Sequence, residues 1–451
     1  MYHASIKDHS IIKNMNLKPT KPMKKYVFII ICLLMCLCHI KAQETEKDSK
    51  FKLSFSERVR LTTIDKAITL DKDKDVLTFT RWRTYLGAEY TPNTHLGMKL
   101  ELGNEARIWM SPSSRKTTLD EIFVNQLYIN YQNVANLPLD IRLGRQNIML
   151  DEGFICIDGN PLVGSRSNYF NALKTVYRFN DRNKLTAFFT YNTRKEEFLP
   201  ILHEKDPYQP LEEQTNSGLG VHHHAKIKQL DWSTYYFYKN YLKYDALPEA
   251  HTHTVGTRLS LPFLNGFSFT TEFAYQLGKV DRFNRQSYGG YSRLDYKLGG
   301  SVPLLDCISA GAFYLSGDDP KTEKIEGWDP LWSRWPKWSE SYVYTLIAEN
   351  KGKAGYWSNI NAINLGFGAT LASNVKFNAD YLHLSAPQPN ETAFCSGGGK
   401  TRGNLFIMKL SYQIHKNWTG HFLFEHFTPG SFYFNGADPY NWARFELKYT
   451  L

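Results

Sequence analysis

The sequence predicts an all-β fold, a transmembrane antiparallel β-barrel of about 18 strands (16–20) with long extracellular loops. Apolar and polar residues alternate with a period of two in segment after segment, and no long helical periodicity occurs. Aromatic residues make up 15% of the chain although its mean hydropathy is only −0.43. A short apolar segment near the N-terminus has the form of an export signal. These observations indicate an exported membrane protein.

The composition excludes other classes of protein. A mean hydropathy of −0.43 rules out a stack of membrane helices, whereas a barrel shows lipid only one face of each strand and carries aromatic girdles. Residues 1–42 hold seven Lys and one Asp, so their removal lowers the formal net charge from +10 to +4. A charge this small gives no reason to expect a nucleic-acid partner.

The N-terminal region is predicted to be removed. Residues 23–42 combine a lysine pair, an apolar core at 26–40 and a plausible cleavage site before Gln43, which is the pattern of a signal peptide. A single membrane anchor is the alternative, but about 15 apolar residues are few for a span. Residues 1–22 do not fit such a signal and are a possible mis-assigned extension. Residues 43–451 have no linker and are predicted to form a single barrel domain.

The strands are predicted from alternation. Residues 80–90 place Trp82 and Leu86 on one face and Arg81 and Arg83 on the other. Successive patterns lie roughly 20–25 residues apart, so a mature chain of about 409 residues accommodates roughly 16 to 20 strands. The clearest patterns are at 51–61, 80–90, 96–109, 184–192, 231–241, 266–278, 374–384, 404–415, 417–427 and 443–451.

A soluble propeller or solenoid is the competing architecture. Such folds show repeats of about 40–50 residues, and none is found here. Basic residues on one face of many strands suit a wet lumen better than a dry core, where each would need a partner. The final segment, ARFELKYTL (443–451), ends the chain as an alternating strand, although with Leu451 instead of the more usual Phe.

Two segments resemble the alginate export family of outer-membrane channels. IRLGRQNIMLDEGF (141–154) is similar to a strand-to-turn segment of that family, and YLSGDDPKTEKIEGWDPLW (314–332) is similar to a later loop. The chain departs from the family pattern at Asn171-Ala172, where members often carry Asp-Gly. The resemblance implies a monomeric barrel in the bacterial cell outer membrane that carries acidic polysaccharide, with inward Arg and Lys meeting uronate carboxylates.

Arginine on the polar phase of early strands indicates the same chemistry independently. Guanidinium stays charged and binds a carboxylate through two parallel hydrogen bonds. The alternative is a ladder of ion pairs that braces the wall, because Glu89, Glu101 and Glu105 interleave with the arginines. The candidate lumen residues are Arg81, Arg83, Arg107, Arg142 and Arg145.

A tryptophan-rich segment at 326–338 is predicted to lie in a long loop. Asp329 followed by Pro330 predicts one or two helical turns that place Trp332 and Trp335 on one face. The two rings could stack on sugar. Alternatively they anchor the membrane interface or pack against neighbouring loops.

No cofactor, metal site or catalytic group is predicted. The cysteines that remain after signal cleavage are odd in number and widely separated. The His clusters at 222–224 and 251–253 have no carboxylate or cysteine at ligand spacing. Asp380 and His383 are three apart on a strand, so they point to opposite faces and make a poor catalytic pair.

Three functions remain open. The first is passive passage of an anionic oligosaccharide or polysaccharide, or of related small anions. The second is a general or anion-preferring porin, and the third and most remote is a barrel enzyme. Expected partners are outer-membrane lipid and lipopolysaccharide, with periplasmic export or uptake proteins as further candidates. The direction of transport is not encoded in a passive pore.

Overall fold

The structure is a computed structural model. It describes residues 50–65, 69–74, 76–115, 121–157, 170–202, 212–333, 338–341, 343–344, 349 and 357–451. The predicted N-terminal extension, the signal peptide and Trp335 lie outside these residues.

The described chain forms a closed antiparallel barrel of 18 strands, as the alternation predicts. Consecutive barrel strands pair with each other, and the last closes on the first with Thr450 opposite Ser56. A two-residue strand, β8, pairs only with the start of β4, and β7 pairs directly with β9. The strands are β1 (Phe51–Asp65), β2 (Leu77–Tyr90), β3 (Leu96–Ser111), β4 (Ile122–Tyr131), β5 (Leu139–Gln146), β6 (Phe170–Asn180), β7 (Asn183–Asn192), β8 (Ile201–Leu202), β9 (Asn216–Ile227), β10 (Leu230–Tyr241), β11 (Ala250–Leu264), β12 (Phe267–Val280), β13 (Phe283–Lys297), β14 (Leu305–Leu315), β15 (Ile360–Ala372), β16 (Val375–Ser385), β17 (Thr401–His415), β18 (Trp418–Pro429) and β19 (Tyr440–Thr450).

Helical structure in the described part of the chain is confined to short turns. The described residues include two 3-10 turns, Val134–Asn136 and Ala393–Cys395. Among these same residues, no helix is both long and apolar enough to cross a bilayer.

Side chains alternate between the lumen and the outer surface along each strand. In β1, Arg58 and Arg60 are buried inside, whereas Leu61 between Arg60 and Thr62 is exposed outside. Leu365 and Phe273 are likewise exposed on the outer surface. The outer surface is therefore apolar and the lumen polar, which is the pattern of a membrane barrel.

The two ends of the barrel differ in the length of their connections. One end holds both ends of the described chain and turns of two residues, such as 181–182, 228–229 and 416–417. The other end holds the long connections 147–169, 193–215 and 316–359. Short turns face the periplasm in outer-membrane barrels, so the long connections face the outside of the cell.

The described parts of two long connections fold into the lumen and form the hydrophobic core there. We define inner loop A as residues 147–157 and inner loop B as the described part of 316–359. Phe154 of loop A is fully buried and stacks on Trp328 of loop B, with ring centroids 5.3 Å apart. Trp357 meets Phe154 edge to face at 6.0 Å. The core of this molecule therefore lies between its loops and the inner wall.

The helical turn predicted after Asp329 is not formed in the described residues of that segment. Leu331 adopts a left-handed backbone (φ 53°), and the N–H of Ser333 donates to the carbonyl of Pro330 at 2.8 Å. The helical prediction is wrong because a left-handed residue cannot continue a right-handed helix, and loop A pairs with the backbone of Trp332 instead. Its N–H donates to the carbonyl of Ile155 at 3.2 Å.

Candidate functional site: the barrel lumen

Four neighbouring strands place basic side chains side by side on the lumen wall. Arg58 of β1 lies opposite both Arg83 of β2 and Lys448 of β19. Arg81 of β2 lies opposite Arg60 and Arg107. Two adjacent rows across β19, β1, β2 and β3 therefore each carry three cations and one carboxylate. We call this set the arginine face; it consists of Arg58, Arg60, Arg81, Arg83, Arg107, Arg444 and Lys448.

Carboxylates on the arginine face are fewer than the cations among the described residues. Glu446 contacts the Arg60 guanidinium, and its carboxylate lies 4.0 Å from Arg58. Glu105 lies opposite Arg83 and within electrostatic range of Arg81 and Arg107. Glu340, carried by inner loop B, pairs with Arg444. Even if Glu105, Glu340 and Glu446 were all ionised, the seven cations of the face would leave its net charge positive.

Aromatic rings support several of these guanidinium groups. Arg83 lies over the ring of Tyr85 at 4.8 Å, and Arg107 lies over Phe79 at 5.0 Å. A ring face stabilises a cation without neutralising it. The sequence-predicted Arg81, Arg83 and Arg107 thus lie together on one positively charged surface.

Arg142 lies apart from the arginine face, on β5. It stacks over Tyr128 at 4.2 Å and donates from Nε to Asn130 at 3.2 Å. The residue opposite Arg142 on β6 is Lys174. The structure therefore gives Arg142 a separate, smaller basic neighbourhood.

Arg145 is enclosed in a buried ion pair. Its two Nη atoms donate to the two carboxylate oxygens of Glu196 at 2.6 and 2.8 Å, and its Nε donates to Asn171 at 3.0 Å. Gly144, which precedes it, has φ +124°, and a Cβ there would lie 2.2 Å from the carbonyl oxygen of Leu127. Only glycine accepts this backbone conformation. It turns the Arg145 side chain inward, whereas regular alternation would place residue 145 on the outer surface with exposed Leu143. Arg145 thus ties the β7–β9 connection to β5.

Trp332, carried by inner loop B, is buried against the barrel wall. Its ring meets Phe188 edge to face at 5.4 Å, and the ammonium of Lys239 lies 5.3 Å from it. Gly218 makes room for the ring, since a Cβ there would lie 2.5 Å from it. Of the two roles predicted for this residue, packing against neighbouring elements describes its position.

Asp329 anchors inner loop B to three strands. Its carboxylate accepts from Tyr241 at 3.0 Å and from Thr252 at 3.2 Å, and its backbone N–H donates to Gln276 at 3.0 Å. Burial raises the pKa of Asp329, but the charges of Arg285 and Lys239 and the hydrogen bonds outweigh burial and hold the pKa below its usual value. The carboxylate is ionised at neutral pH.

Asp151 anchors inner loop A in the same way. It accepts from Ser233 at 2.8 Å and lies 2.7 Å from Nε2 of His222. Burial raises the pKa of Asp151, but the contacts with His222 and Ser233 outweigh burial and leave the pKa lowered. The His cluster at 222–224 therefore meets a carboxylate that is distant in sequence. The described residues hold no group of three or more His, Cys, Asp or Glu side chains placed to bind a metal ion.

The chain matches the alginate export family over residues 43–445. It belongs to that family. As a member of the alginate export family, it is an outer-membrane channel, which the closed barrel and its loop arrangement support. No curated protein sequence matches the chain.

Solved structures similar to this family member are outer-membrane channels of the Occ and Opd type. Acinetobacter baumannii OccAB4 superimposes with a TM-score of 0.57 at 9% identity, over 90% of this chain and 99% of that one. Pseudomonas aeruginosa OpdQ gives a TM-score of 0.57 at 14% identity, over 89% and 99%. P. aeruginosa OpdK, solved with vanillate, gives 0.55 at 10%, over 89% and 98%. At these identities the likeness shows the fold alone.

Sequence reasoning missed part of the arginine face of this family member. Arg58, Arg60, Arg444 and Lys448 lie on the polar phase of strands that were predicted correctly. Their alternation was the available signal, but the pairing of β19 with β1 brings together residues almost 400 positions apart. No local pattern marks Glu340, because it reaches the face through a loop. Asp380 and His383 lie on opposite faces of β16, since His383 is exposed and bonds to Asn404 at 2.9 Å.

Proposed function

We propose that this channel passes anionic, uronate-rich oligosaccharide or polysaccharide across the outer membrane, with the arginine face contacting the carboxylates. The observation that carries the proposal is the cluster of cations on β19, β1, β2 and β3. In this cluster the cations outnumber the carboxylates. Guanidinium forks suit the planar carboxylates of uronates. Charges that line a narrow lumen also set its ion selectivity. The family's own description, alginate export, is consistent with this substrate class.

The competing function is a porin that prefers anions without recognising sugar. Both functions require net positive charge on the wall, so ion selectivity alone does not separate them. They differ in what a polymer does in the lumen, because repeated carboxylates would bind several arginines at once and remain bound for longer.

A barrel enzyme is disfavoured as a function. The family and the structural neighbours are channels. For partners we propose lipid and lipopolysaccharide around a monomeric barrel, with periplasmic proteins delivering or receiving the polysaccharide.

Planar-bilayer recordings test the proposal. Uronate oligomers should block the current through the wild-type channel at low concentration, and a neutral oligomer of equal length should block it less. Arg83→Gln and Arg107→Gln should each shorten uronate block and move the reversal potential in a salt gradient toward lower anion preference. Arg282→Gln, in the 281–282 turn outside the lumen, is the matched control. If uronates leave the current untouched while anion preference persists, the porin function is correct instead.

A further inference from the structure

The wall formed by β13–β16 contains a recess in the lumen, next to inner loop B. Its volume is about 220 Å³. Polar and aromatic side chains line it, and Leu382 is the apolar side chain among them. The main contributors are Asp380, Asn364, Ser309, Arg293, Tyr291 and Trp338.

Glycines on the wall create this space. Ser309, Gly366 and Asp380 lie in one row across β14, β15 and β16, so Gly366 separates two polar side chains. A Cβ at Gly366 would lie 2.3 Å from Oδ1 of Asp380 and 2.7 Å from Oγ of Ser309. The carboxylate and the hydroxyl therefore converge over the glycine.

The next row repeats the arrangement. Gly311 lies between Arg293 and Asn364 across β13, β14 and β15. A Cβ at Gly311 would lie 2.4 Å from Oδ1 of Asn364. Two neighbouring rows thus direct polar side chains toward the same recess.

Three of these polar groups are not tied into the hydrogen bonds of the described wall, although the charge of Arg293 acts on Asp380. The side chains of Asp380, Asn364 and Ser309 form no hydrogen bond with any described residue, whereas Arg293 donates from Nε to Asp295 at 2.8 Å. A carboxylate, an amide and a hydroxyl together offer both acceptors and donors. Groups of this kind within a partly enclosed recess are available for a permeating molecule.

The chemistry favours sugar hydroxyl groups over other ligands. A carboxylate such as Asp380 repels anions, so the recess does not extend the arginine face. Glu152 of inner loop A also lines the recess, but it pairs with Arg258 at 3.0 Å. The described residues hold no group of three or more His, Cys, Asp or Glu side chains that could bind a metal ion. Vicinal hydroxyls both donate and accept, and the exposed part of the Trp338 ring, which stacks on Phe313 at 4.0 Å, adds an apolar edge to the recess.

We propose that this recess is a saccharide subsite that binds the hydroxyl groups of one sugar residue during passage. The inference rests on the proposed function for the acidic character of the polymer. Only β17 and β18 separate the recess from β19 on the arginine face. Three steps between adjacent strands span roughly 15 Å along the wall. An acidic oligomer, but not a single sugar, can therefore occupy both sites at once.

The experiment measures block of single channels in planar bilayers by two oligomers of equal length, a neutral glucose oligomer and a uronate oligomer. Asp380→Ala and Asn364→Ala should each shorten the residence time of both oligomers, by roughly tenfold for Asp380→Ala, because hydrogen bonds to a charged acceptor are lost. Asp306→Ala is the matched control, since it removes a carboxylate near the periplasmic end of β14. Unchanged conductance in potassium chloride and unchanged heat-modifiable migration on gels show that each variant folds.

The outcomes separate the recess from the proposed function. If uronates block the wild type and neither variant shortens block by either oligomer, the subsite is wrong and the proposed function stands. If both oligomers block equally in an Asp380-dependent manner, the subsite stands and the uronate preference fails. The subsite is also overturned if the neutral oligomer never blocks, or if Asp306→Ala shortens block as much as Asp380→Ala does.

Discussion

Cations on two regions of the lumen wall have different surroundings. On the arginine face, Arg58 and Arg81 lie in rows with other cations. On the wall of β10–β13, cations meet atoms of the inner loops. Lys239 donates to the carbonyl of Leu331 at 2.7 Å, Arg258 pairs with Glu152 at 3.0 Å, and Arg285 donates to the carbonyl of Gly327 at 3.1 Å.

This difference shows that the position of a loop decides what an inward arginine does. Where a loop covers the wall, the guanidinium supplies hydrogen bonds that hold the loop across the lumen. Where the wall faces open lumen or a single loop carboxylate, the same group contributes net charge to the permeation path. Arg145 pairs with Glu196 of the β7–β9 connection, so it holds a connection to the wall. Its sequence context does not distinguish it from the arginines that face the permeation path.

The largest effect should come from breaking the buried brace at Arg145. Glu196→Gln removes the carboxylate partner of a guanidinium that is only 2% exposed. Loss of one member of a buried pair should lower the free energy of unfolding by about 3–5 kcal/mol. Denaturant unfolding of the folded barrel in detergent micelles measures the change.

Asp140→Asn is the control for that variant. Asp140 pairs with Arg178, whose side chain is 45% exposed, so its loss should cost less than about 1 kcal/mol. Equal destabilisation by both variants would mean that Arg145 is no brace.

A second, smaller effect is expected from releasing inner loop B. Asp329→Ala removes the acceptor for Tyr241 and Thr252 and the negative charge that faces Lys239 and Arg285. The loop should then move within the lumen, and single-channel recordings should show higher conductance with increased current noise. Asp319→Ala, on the outer part of the same loop, should leave both unchanged. A quiet, unchanged current in Asp329→Ala would contradict the anchoring role.

A third variant tests the arginine face, the part of the wall that no loop covers fully. Glu340→Gln removes a loop carboxylate from Arg444 on the arginine face. One charge at about 8 Å in water is worth about 0.5 kcal/mol, so anion preference should rise by roughly twofold. The reversal potential in a salt gradient measures this change. A fall in anion preference would show that Glu340 holds the cations in position and does not merely offset their charge.

The sequence predicts strands and inward faces well but not what the loops cover. Period-two alternation identified β1, β7 and β17, and it placed Arg81 and Arg83 inward, because a barrel wall imposes that period on every strand. It could not assign Arg145 to Glu196, since the pair depends on the backbone of Gly144 and on a connection 51 residues away. Trp332 was ambiguous for the same reason, because its burial depends on loop A and on Gly218.

The smallest effect should be that of pH on the loop anchors. Asp329 and Asp151 have lowered pKa values in the folded protein, so each carboxylate stabilises its loop fully above the unfolded pKa of about 3.9. That stabilisation is lost only as the pH falls through the folded pKa. Arginine does not titrate in this range. Conductance should therefore stay constant from about pH 8 to about pH 5 and should change first below about pH 4. A conductance change between about pH 8 and about pH 5 would contradict the view that these two carboxylates alone hold the inner loops.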